Sequence, residues 1–241
     1  LTIASDELER LPAERLNVLR RIMPSHGHPS RPVDLFERDL PRIWVVPGSG
    51  VLADQTIVGL FNWEGEPVAM DESLGRLGLD SKADYASFEF WSGDSKGAVR
   101  DRLKVSLAGI GTSTSVSEEK STGRLERCCA VLALRPLADY PRVRSTSRHV
   151  SQGRVDLLSE DWIESAKTLS GTSLVVGNDP YEIRLAFRGE QSWKIEKVEV
   201  NEEAKQAGVE IKQGELQPGL LRVLITSPTS SEIRWKVHFE R

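Results

Sequence analysis

Strict alternation of apolar and other side chains is the feature that most limits how this chain can fold. It occurs in Tyr181–Phe187 and again in Ile233–Phe239, where every second residue is a large apolar one. A two-residue period places these side chains on one face of a strand and the others on the opposite face. In Trp193–Val200 the apolar phase slips between Ile195 and Val198, which a β-bulge would accommodate. These segments predict antiparallel strands with one buried and one wetted face.

Further strand signals run through the middle of the chain and make the predicted fold mainly β. Apolar or alternating runs are separated by Gly, Pro, Asp and Ser, which favour turns. The connector Arg135–Arg142 contains two prolines and no period, so it is the best place to divide the β-structure. We predict an antiparallel β-sandwich over residues 31–141 and a second sandwich-like domain over residues 142–241, although one shared sandwich also fits. The runs are Arg42–Val46, Thr56–Trp63, Ala86–Trp91, Leu103–Leu107 and Leu125–Leu134.

The first 30 residues follow a different pattern. The short apolar run Leu1–Ala4 precedes Asp6 and Glu9 at capping-box spacing, Pro12 suits the first helical position, and Pro24 would end the helix. A strand that leads into a capped helix is one β/α unit of a layered α/β fold. We therefore expect residues 1–30 to be the last unit of a truncated TIM (β/α)8 barrel. The predicted apolar face of the helix comprises Leu16, Leu19, Ile22 and Met23.

Composition argues against several kinds of partner. With 32 Lys and Arg against 36 Asp and Glu the net charge is −4, so we expect no nucleic acid partner. The longest apolar run, Cys128–Leu134, is much shorter than the roughly 20 residues that span a bilayer, so we expect no membrane partner. The only two cysteines, Cys128 and Cys129, are neighbours and cannot join distant segments. The lack of a disulfide framework favours a reducing, cytoplasmic compartment.

Seven short segments carry a resemblance to a known family. The first four are Leu11–Arg15, Arg31–Glu37, Leu60–Trp63 and Phe90–Gly93, and the later three are Leu132–Leu137, Ser145–Gly153 and Thr168–Ser173. In this order they resemble the C-terminal region of bacterial α-galactosidase-like glycoside hydrolases, the melibiase-related superfamily. The resemblance extends from the N-terminal helix to about Phe187.

The resemblance implies a (β/α)8 barrel upstream and a retaining reaction with two aspartates, a nucleophile and an acid/base, at the ends of earlier barrel strands. Retaining hydrolysis needs two carboxyl groups about 5 Å apart across one sugar ring, which scattered strand carboxylates do not supply. We expect the parent protein to hydrolyse an α-galactoside or oligosaccharide and this chain alone to be inactive. Oligomers are common among such enzymes, but no symmetric face can be read from the sequence.

Asp6 is the single candidate for substrate contact in this chain. It directly follows the predicted strand Leu1–Ala4, and barrel active sites are built where strands end. Its carboxylate could accept hydrogen bonds from sugar hydroxyls. The same residue stands where a helix N-cap is expected, and the two roles are compatible.

Histidine and tryptophan side chains are further candidates for a site in this chain. His26 and His28 have no carboxylate or cysteine at a spacing that would complete a metal site, so we predict that they lie in a loop and bind no metal. We also predict no cofactor. His149 is expected to satisfy a buried polar turn, because no nucleophile with a partner acid surrounds it in sequence. Most of the six tryptophans should be core residues. Trp63 and Trp91, at predicted strand ends, are the least certain of these.

Two other functions stay open at the level of sequence. A non-catalytic carbohydrate-binding or adhesive β-sandwich would expose aromatic side chains at one edge and bind saccharide by itself. A purely structural interaction module would neither bind nor hydrolyse sugar. Gly48–Gly50 and Gly109–Gly111 match no nucleotide-binding fingerprint and are predicted turns, and the Ser- and Thr-rich tract Gly111–Gly123 is a predicted exposed loop without chemistry.

Overall fold

The computed structural model describes residues 10–110, 127–189, 193–217 and 219–241, and the structural statements below concern these ranges. The chain divides into two units. The C-terminal unit comprises Leu1–Gly27, Ser49–Leu52 and Ala138–Arg241, and the middle unit comprises His28–Gly48 and Ala53–Leu137. The domain bounds predicted from sequence stay predictions.

Strands provide most of the regular structure in the described ranges. The α-helices are short, α1 Ala13–Ile22 and α2 Glu202–Gln206, and a 3₁₀ turn occupies Glu164–Ala166. No helix in these ranges has the length and apolar character that crossing a bilayer requires. The strands are β1 Arg31–Pro32, β2 Ile43–Val46, β3 Thr56–Phe61, β4 Val68–Ser73, β5 Tyr85–Glu89, β6 Ser95–Val99, β7 Arg102–Leu107, β8 Cys129–Pro136, β9 Arg142–Thr146, β10 Leu157–Ile163, β11 Thr168–Val175, β12 Tyr181–Ala186, β13 Lys194–Val200, β14 Glu210–Gln217, β15 Leu220–Thr226 and β16 Ser231–Glu240.

The middle unit is built from a six-stranded antiparallel sheet and a two-stranded ribbon. The sheet has the order β1-β2-β3-β8-β5-β6, and the ribbon pairs β4 with β7. One core takes side chains from both, including Val58 and Leu60 of β3, Leu132 of β8 and Leu103 of β7. The sheet and the ribbon therefore enclose the apolar interior of this unit.

The C-terminal unit contains two four-stranded antiparallel sheets. Their orders are β10-β11-β16-β13 and β14-β15-β12-β9. A single core joins Leu169 and Val237 of the first sheet to Ile183 and Val223 of the second, and all four side chains are fully buried. Burial between two sheets is the arrangement of a β-sandwich. The predicted mainly β, antiparallel fold class is confirmed.

The alternation in sequence located several strands closely. Tyr181–Phe187 corresponds to β12 and Ile233–Phe239 lies within β16, whose side chains are alternately buried and more exposed along most of its length. The predicted bulge is confirmed, because the pairing of β13 with β16 shifts register between Ile195 and Lys197. Both cysteines are free thiols.

The predicted N-terminal helix is present but begins late. It covers Ala13–Ile22, with Pro12 as its N-cap rather than its first helical residue, and the Met23 N–H donates to the Leu19 carbonyl beyond its end. The predicted strand Leu1–Ala4 and Asp6 lie outside the described residues. The barrel unit is therefore not supported by the structure, and it returns below only as part of a proposal.

Candidate functional site

A buried network of hydrogen bonds links the two sheets of the C-terminal unit. The Asp156 carboxylate accepts from the Thr146 hydroxyl at 2.6 Å and from the Tyr181 hydroxyl at 2.8 Å. The Tyr181 and Ser173 hydroxyls are 3.1 Å apart, and the Trp235 indole N–H donates to Ser173 at 2.9 Å. Because the phenol has one proton and gives it to Asp156, Ser173 is the donor to Tyr181. We call these five residues the polar core.

The polar core joins segments that are distant in sequence. Thr146 and Tyr181 belong to β9 and β12 of one sheet, and Ser173 and Trp235 belong to β11 and β16 of the other. Asp156 lies in the turn between β9 and β10. The Asp156 Oδ2 atom accepts both hydrogen bonds, and Oδ1 is buried without a hydrogen-bond partner among the described residues. The network favours one register of the elements that contribute to it, since mispairing would leave further buried polar groups without partners.

Burial sets the electrostatics of this network. Asp156 has 1% of its surface exposed, and this desolvation raises its pKa to about 6, although the hydrogen bonds from Thr146 and Tyr181 act in the opposite direction. Burial also raises the pKa of Tyr181 well above its ordinary value, and the nearby Asp156 carboxylate adds to the rise. Tyr181 therefore stays a neutral phenol and a hydrogen-bond donor.

Two segments quoted for the family resemblance meet in the polar core. Ser145–Gly153 supplies Thr146, and Thr168–Ser173 supplies Ser173. Asp156 and Tyr181 complete the network and were not identified as functional candidates from sequence. The available signal was a tyrosine at a buried position of an alternating strand, which needs a partner for its hydroxyl.

The turn after β9 also holds the end of α1. The Arg21 guanidinium contacts both oxygens of Asp179 at 2.9 and 3.0 Å. The Arg148 guanidinium donates to the Arg20 carbonyl at 2.8 Å, and the Val150 N–H donates to the Arg21 carbonyl at 2.7 Å. The last carbonyls of a helix lack intrahelical donors, so these contacts satisfy groups that the helix leaves open. They attach α1 to the sandwich of its own unit.

His149 is buried in the same turn. Its Nδ1 accepts the Ser151 N–H at 3.0 Å and lies 2.7 Å from the Ser151 hydroxyl, and the His26 ring is 6.4 Å away in an edge-on orientation. Desolvation lowers the pKa of His149, against the carbonyls of Ile22 and Pro24, which favour the charged form. The ring therefore stays neutral near pH 7, and the buried-turn prediction agrees with this geometry.

The polar core and His149 are closed to a substrate. Asp156, Ser173 and Tyr181 are all buried, as are His149 and Ser151. The short Ser151–His149 contact is local to one turn, and both side chains lie beneath the surface. The arrangement can position strands and α1, but a sugar ring cannot reach these groups.

An aromatic platform lies on the middle unit. On β3 the side chains of Val58 and Leu60 point into the core, which leaves Gly59 and Phe61 on the opposite face. The Phe61 and Trp63 rings are parallel within 1° at a centroid distance of 5.2 Å. Gly59 makes room for this stack, because a Cβ atom there would lie 3.1 Å from the Phe61 ring. Trp63 is 43% exposed, the highest value among the tryptophans.

The sequence predicted that most tryptophans are core residues, and two of the others are fully buried. Trp193 and Trp235 are buried, and both contribute to the core of the C-terminal unit. Trp162 is half-buried against Trp193 at 5.6 Å. Trp91 is half-buried and meets Phe90 edge-on at 5.0 Å, so it offers less open ring surface than Trp63.

A groove of about 500 Å³ opens in the middle unit beside β8. The buried Glu89 carboxylate lies in its wall and accepts backbone N–H groups from Ser92 at 2.5 Å and Val131 at 3.0 Å. Cys129 lies in the same wall, and burial raises its pKa to about 11. A thiol that stays protonated is a poor nucleophile. The carboxylate therefore supports the pairing of the interior strands β5 and β8 and the turn after β5, and the thiol is unreactive.

A second groove, of about 610 Å³, opens on the C-terminal unit. Its floor is Gly171, where a Cβ atom would lie 2.3 Å from the Trp235 ring. Glu199 in its wall pairs with Lys197 and His238, and these hydrogen bonds lower the pKa of Glu199 to about 2. This carboxylate stays ionised and paired, so it is unsuited to donate a proton.

Several expectations concern parts of the chain beyond the described ranges. Asp6 and the whole of the predicted loop Gly111–Gly123 lie there. Within the ranges that the structure covers, no group of three or more His, Cys, Asp or Glu side chains could hold a metal ion. His26 lies in the C-terminal unit and His28 in the middle unit. The absence of a cofactor stays a prediction.

Comparisons with known proteins do not identify a family for this chain. A scan against protein-family models finds no match, and a search of curated proteins finds none either. A function must therefore be argued from the residues and the geometry described above.

Proposed function

We propose that the chain is the C-terminal region of an α-galactosidase-like glycoside hydrolase whose catalytic carboxylates lie upstream of Leu1. In this proposal α1 belongs to the last β/α unit of a (β/α)8 barrel, and the two β-units support that barrel. The observation that carries the proposal is the attachment of α1 by the turn that follows Thr146. That turn belongs to Ser145–Gly153, one of the segments that carry the family resemblance.

The buried and paired carboxylates support placing the chemistry elsewhere. Asp156 is enclosed by the polar core, Asp179 pairs with Arg21, Glu89 accepts backbone N–H groups, and Glu199 is ion-paired. A retaining glycosidase needs one carboxylate free to attack the sugar and a second carboxyl group that can donate a proton. These four groups have other structural tasks, so the proposal assigns hydrolysis of the O-glycosidic bond to the upstream aspartates.

The β-units would contribute by positioning. The last four carbonyls of a helix have no intrahelical donors, and donors from elsewhere stabilise the helix end. For α1, Arg148 and the Val150 N–H provide two such donors. If α1 closes a barrel, its fixed C-terminal end limits how far the last strand can move. Such an enzyme would lose activity when the attachment is weakened, although no substrate contact would be removed.

The gene that encodes this chain provides the test. The complete reading frame and residues 1–241 alone are expressed, and hydrolysis of p-nitrophenyl α-galactoside is followed, with the anomer of the first product assigned by NMR. We expect the complete frame to hydrolyse with retention and the chain alone to be inactive. A start codon within a few dozen codons upstream of Leu1 would exclude the proposal, as would activity in the chain alone.

The aromatic platform favours a second candidate, a non-catalytic carbohydrate-binding module. Parallel Phe61 and Trp63 rings with an exposed indole face could stack on the apolar face of a sugar. Titration of the chain with α-galactosides, followed by tryptophan fluorescence, tests this reading. Loss of saccharide affinity in Trp63→Ala at an unchanged melting temperature would support it, whereas a large loss of stability would identify Trp63 as a core residue.

A further inference from the structure

The second groove opens on the solvent-facing side of the sheet β10-β11-β16-β13. Trp235 of β16 is buried in the core, so its neighbours Arg234 and Lys236 face outward. Ser170 of β11 lies opposite Lys236 on the same side of the sheet, and Thr172 lies opposite Arg234. These four outward side chains line the groove of about 610 Å³. We call them the donor block, because each can donate hydrogen bonds.

Strand geometry sets the size of the donor block. Side chains directly opposite each other in an antiparallel pair have Cβ atoms about 5 Å apart, and alternate residues along one strand are about 7 Å apart. The four residues therefore stand at the corners of a small rectangle on two interior strands, where the pairing on both sides fixes the backbone. A small tetrahedral anion above the centre of this rectangle lies within reach of all four side chains.

Lys236 brings a positive charge to the groove that no carboxylate contacts. The residue opposite it on β13 is Glu199. However, one oxygen of Glu199 pairs with Lys197, and the other lies 3.1 Å from the His238 Nε2 atom. Within the ranges that the structure describes, the Lys236 ammonium group has neither an ion pair nor a hydrogen bond. Its three N–H donors therefore remain available to a ligand.

Hydroxyl groups provide further donors beside Lys236. The Ser159 and Thr172 hydroxyls are hydrogen-bonded to each other at 3.0 Å, and both side chains line the groove. A bond between two hydroxyls uses one proton, so the other proton of this pair can be donated to a ligand. The Ser170 hydroxyl lies 3.4 Å from the Asp161 carbonyl, a long contact that a charged acceptor can replace.

Arg234 completes the donor block, and the carboxylates near it have other partners. The Arg234 guanidinium is 3.6 Å from a Glu203 oxygen, which is longer than a hydrogen bond, and that same oxygen accepts from the Asn201 amide at 2.7 Å. Glu202, also in the wall, pairs with Lys205 at 2.5 Å. These pairings weaken the repulsion that the carboxylates would exert on an anion.

We propose that the donor block binds a phosphate group, either as inorganic phosphate or as the phosphate of a monoester. Four donors at four corners match the oxygens of a tetrahedral anion, whereas a carboxylate has only two oxygens. Lys236 and Arg234 form charge-assisted hydrogen bonds, which are shorter and stronger than neutral ones. The groove is larger than a phosphate ion and leaves room for the substituent of a monoester. This site goes beyond the proposed function and does not depend on it.

The experiment titrates residues 1–241 with inorganic phosphate, methyl phosphate and acetate at constant ionic strength, followed by amide chemical shifts in NMR spectra. Lys236→Gln is compared with Lys212→Gln, a matched control at an exposed lysine on β14 of the other sheet. We expect saturable phosphate binding whose Kd rises at least about tenfold in Lys236→Gln and stays unchanged in the control. The melting temperatures of both variants should equal that of the wild type, because both lysines are exposed.

The location of the shifts and the choice of anion decide the outcome. Shifts that concentrate on the amides of Ser170, Thr172 and Lys236 would support the site, and binding of methyl phosphate as well as inorganic phosphate would identify a monoester as a ligand. Binding of inorganic phosphate alone would support a site for the free anion. Absence of saturable binding, equal weakening in the control variant, or acetate binding as tight as phosphate binding would overturn the proposal.

Discussion

The polar core and the exposed loop between β1 and β2 place side chains against the usual expectation in opposite ways. In the C-terminal unit, a carboxylate and three hydroxyls are buried between two sheets. In the middle unit, Phe36 and its neighbours are exposed on a loop. Each departure is stabilised by hydrogen bonds, within the network in one case and beneath the loop in the other. The difference indicates that the first region contributes to stability through its buried contacts, whereas the exposed ring of Phe36 contributes little.

The sharpest contrast compares two aromatic substitutions. Trp235→Ala removes a buried indole and its hydrogen bond to Ser173, so we expect a loss of about 3–5 kcal/mol in the free energy of unfolding. Phe36→Ala removes a ring that contacts almost only solvent, and we expect a change within about 0.5 kcal/mol. Urea unfolding of both variants measures the two values. Similar losses would remove the distinction between the two regions.

The second test is the pH dependence of stability that Asp156 produces. Its folded-state pKa of about 6 lies above the ordinary 3.8, so the folded protein binds this proton more tightly than the unfolded chain. The protonated Asp156 therefore contributes about 3 kcal/mol to the free energy of unfolding. This contribution is complete below about pH 4 and is lost as the pH rises through 6. Asp156→Asn should remove this dependence, so the stability of the variant relative to wild type should rise between pH 4 and pH 7.

The control for this measurement is Asp139→Asn, which changes an exposed carboxylate of the same unit. His149 has a lowered pKa and destabilises the fold as the pH falls below about 6.5, but it is present in both proteins and largely cancels in the difference. A stability difference between Asp156→Asn and wild type that is constant from pH 4 to pH 7 would contradict the assignment.

The base of the loop is tested by Asp34→Ala. The substitution removes the acceptor of two buried backbone N–H groups, so we expect a loss of about 1–3 kcal/mol in the free energy of unfolding. Asp39→Ala, at an exposed position of the same loop, should change stability by less than about 0.5 kcal/mol. If the two variants were equally stable, the loop would not depend on the Asp34 carboxylate.

The smallest expected effect concerns the Arg21–Asp179 pair. Both side chains are partly exposed, so a double-mutant cycle with Arg21→Ala and Asp179→Ala should give a coupling free energy of about 0.5–1 kcal/mol. Amide hydrogen exchange of α1 should increase in both single variants. Unchanged exchange would mean that the backbone contacts of Arg20 and Arg21 hold the helix without this ion pair.

Several strands were predictable from sequence because their apolar residues alternate, whether they lie inside a sheet, as β12 and β16 do, or at its edge, as β13 does. In β16 burial alternates with the apolar residues as predicted, whereas in β12 Arg184 and Ala186 of the expected wetted face are buried as well. β10 and β14 are edge strands with many polar residues, and their sequences did not predict them. An edge strand has fewer neighbours to bury its side chains, so its sequence need not alternate. The helix α2, with five residues, was too short to recognise.

The candidate sites were less predictable because they depend on distant contacts. Ser173 and Trp235 are 62 positions apart, and no local pattern relates them. Phe36 lies in Ser25–Asp39, a polar segment punctuated by prolines that the sequence indicates is a connector, and this pattern does not say what surrounds the ring. The Asp34 carboxylate holds the base of this loop through the Arg42 and Ile43 N–H groups, and those contacts are visible only in the folded chain.

The shared acceptor at Pro41 gives the middle unit an optical property. Because the Trp44 and Trp63 indoles both donate to that carbonyl, and Trp63 also stacks on Phe61, the exposed indole is held beside the loop in one orientation. Its fluorescence emission should shift to shorter wavelength when a partner displaces the surrounding water. The chain therefore contains its own spectroscopic reporter for occupancy of the surface beside Leu40, and binding could be followed without a label.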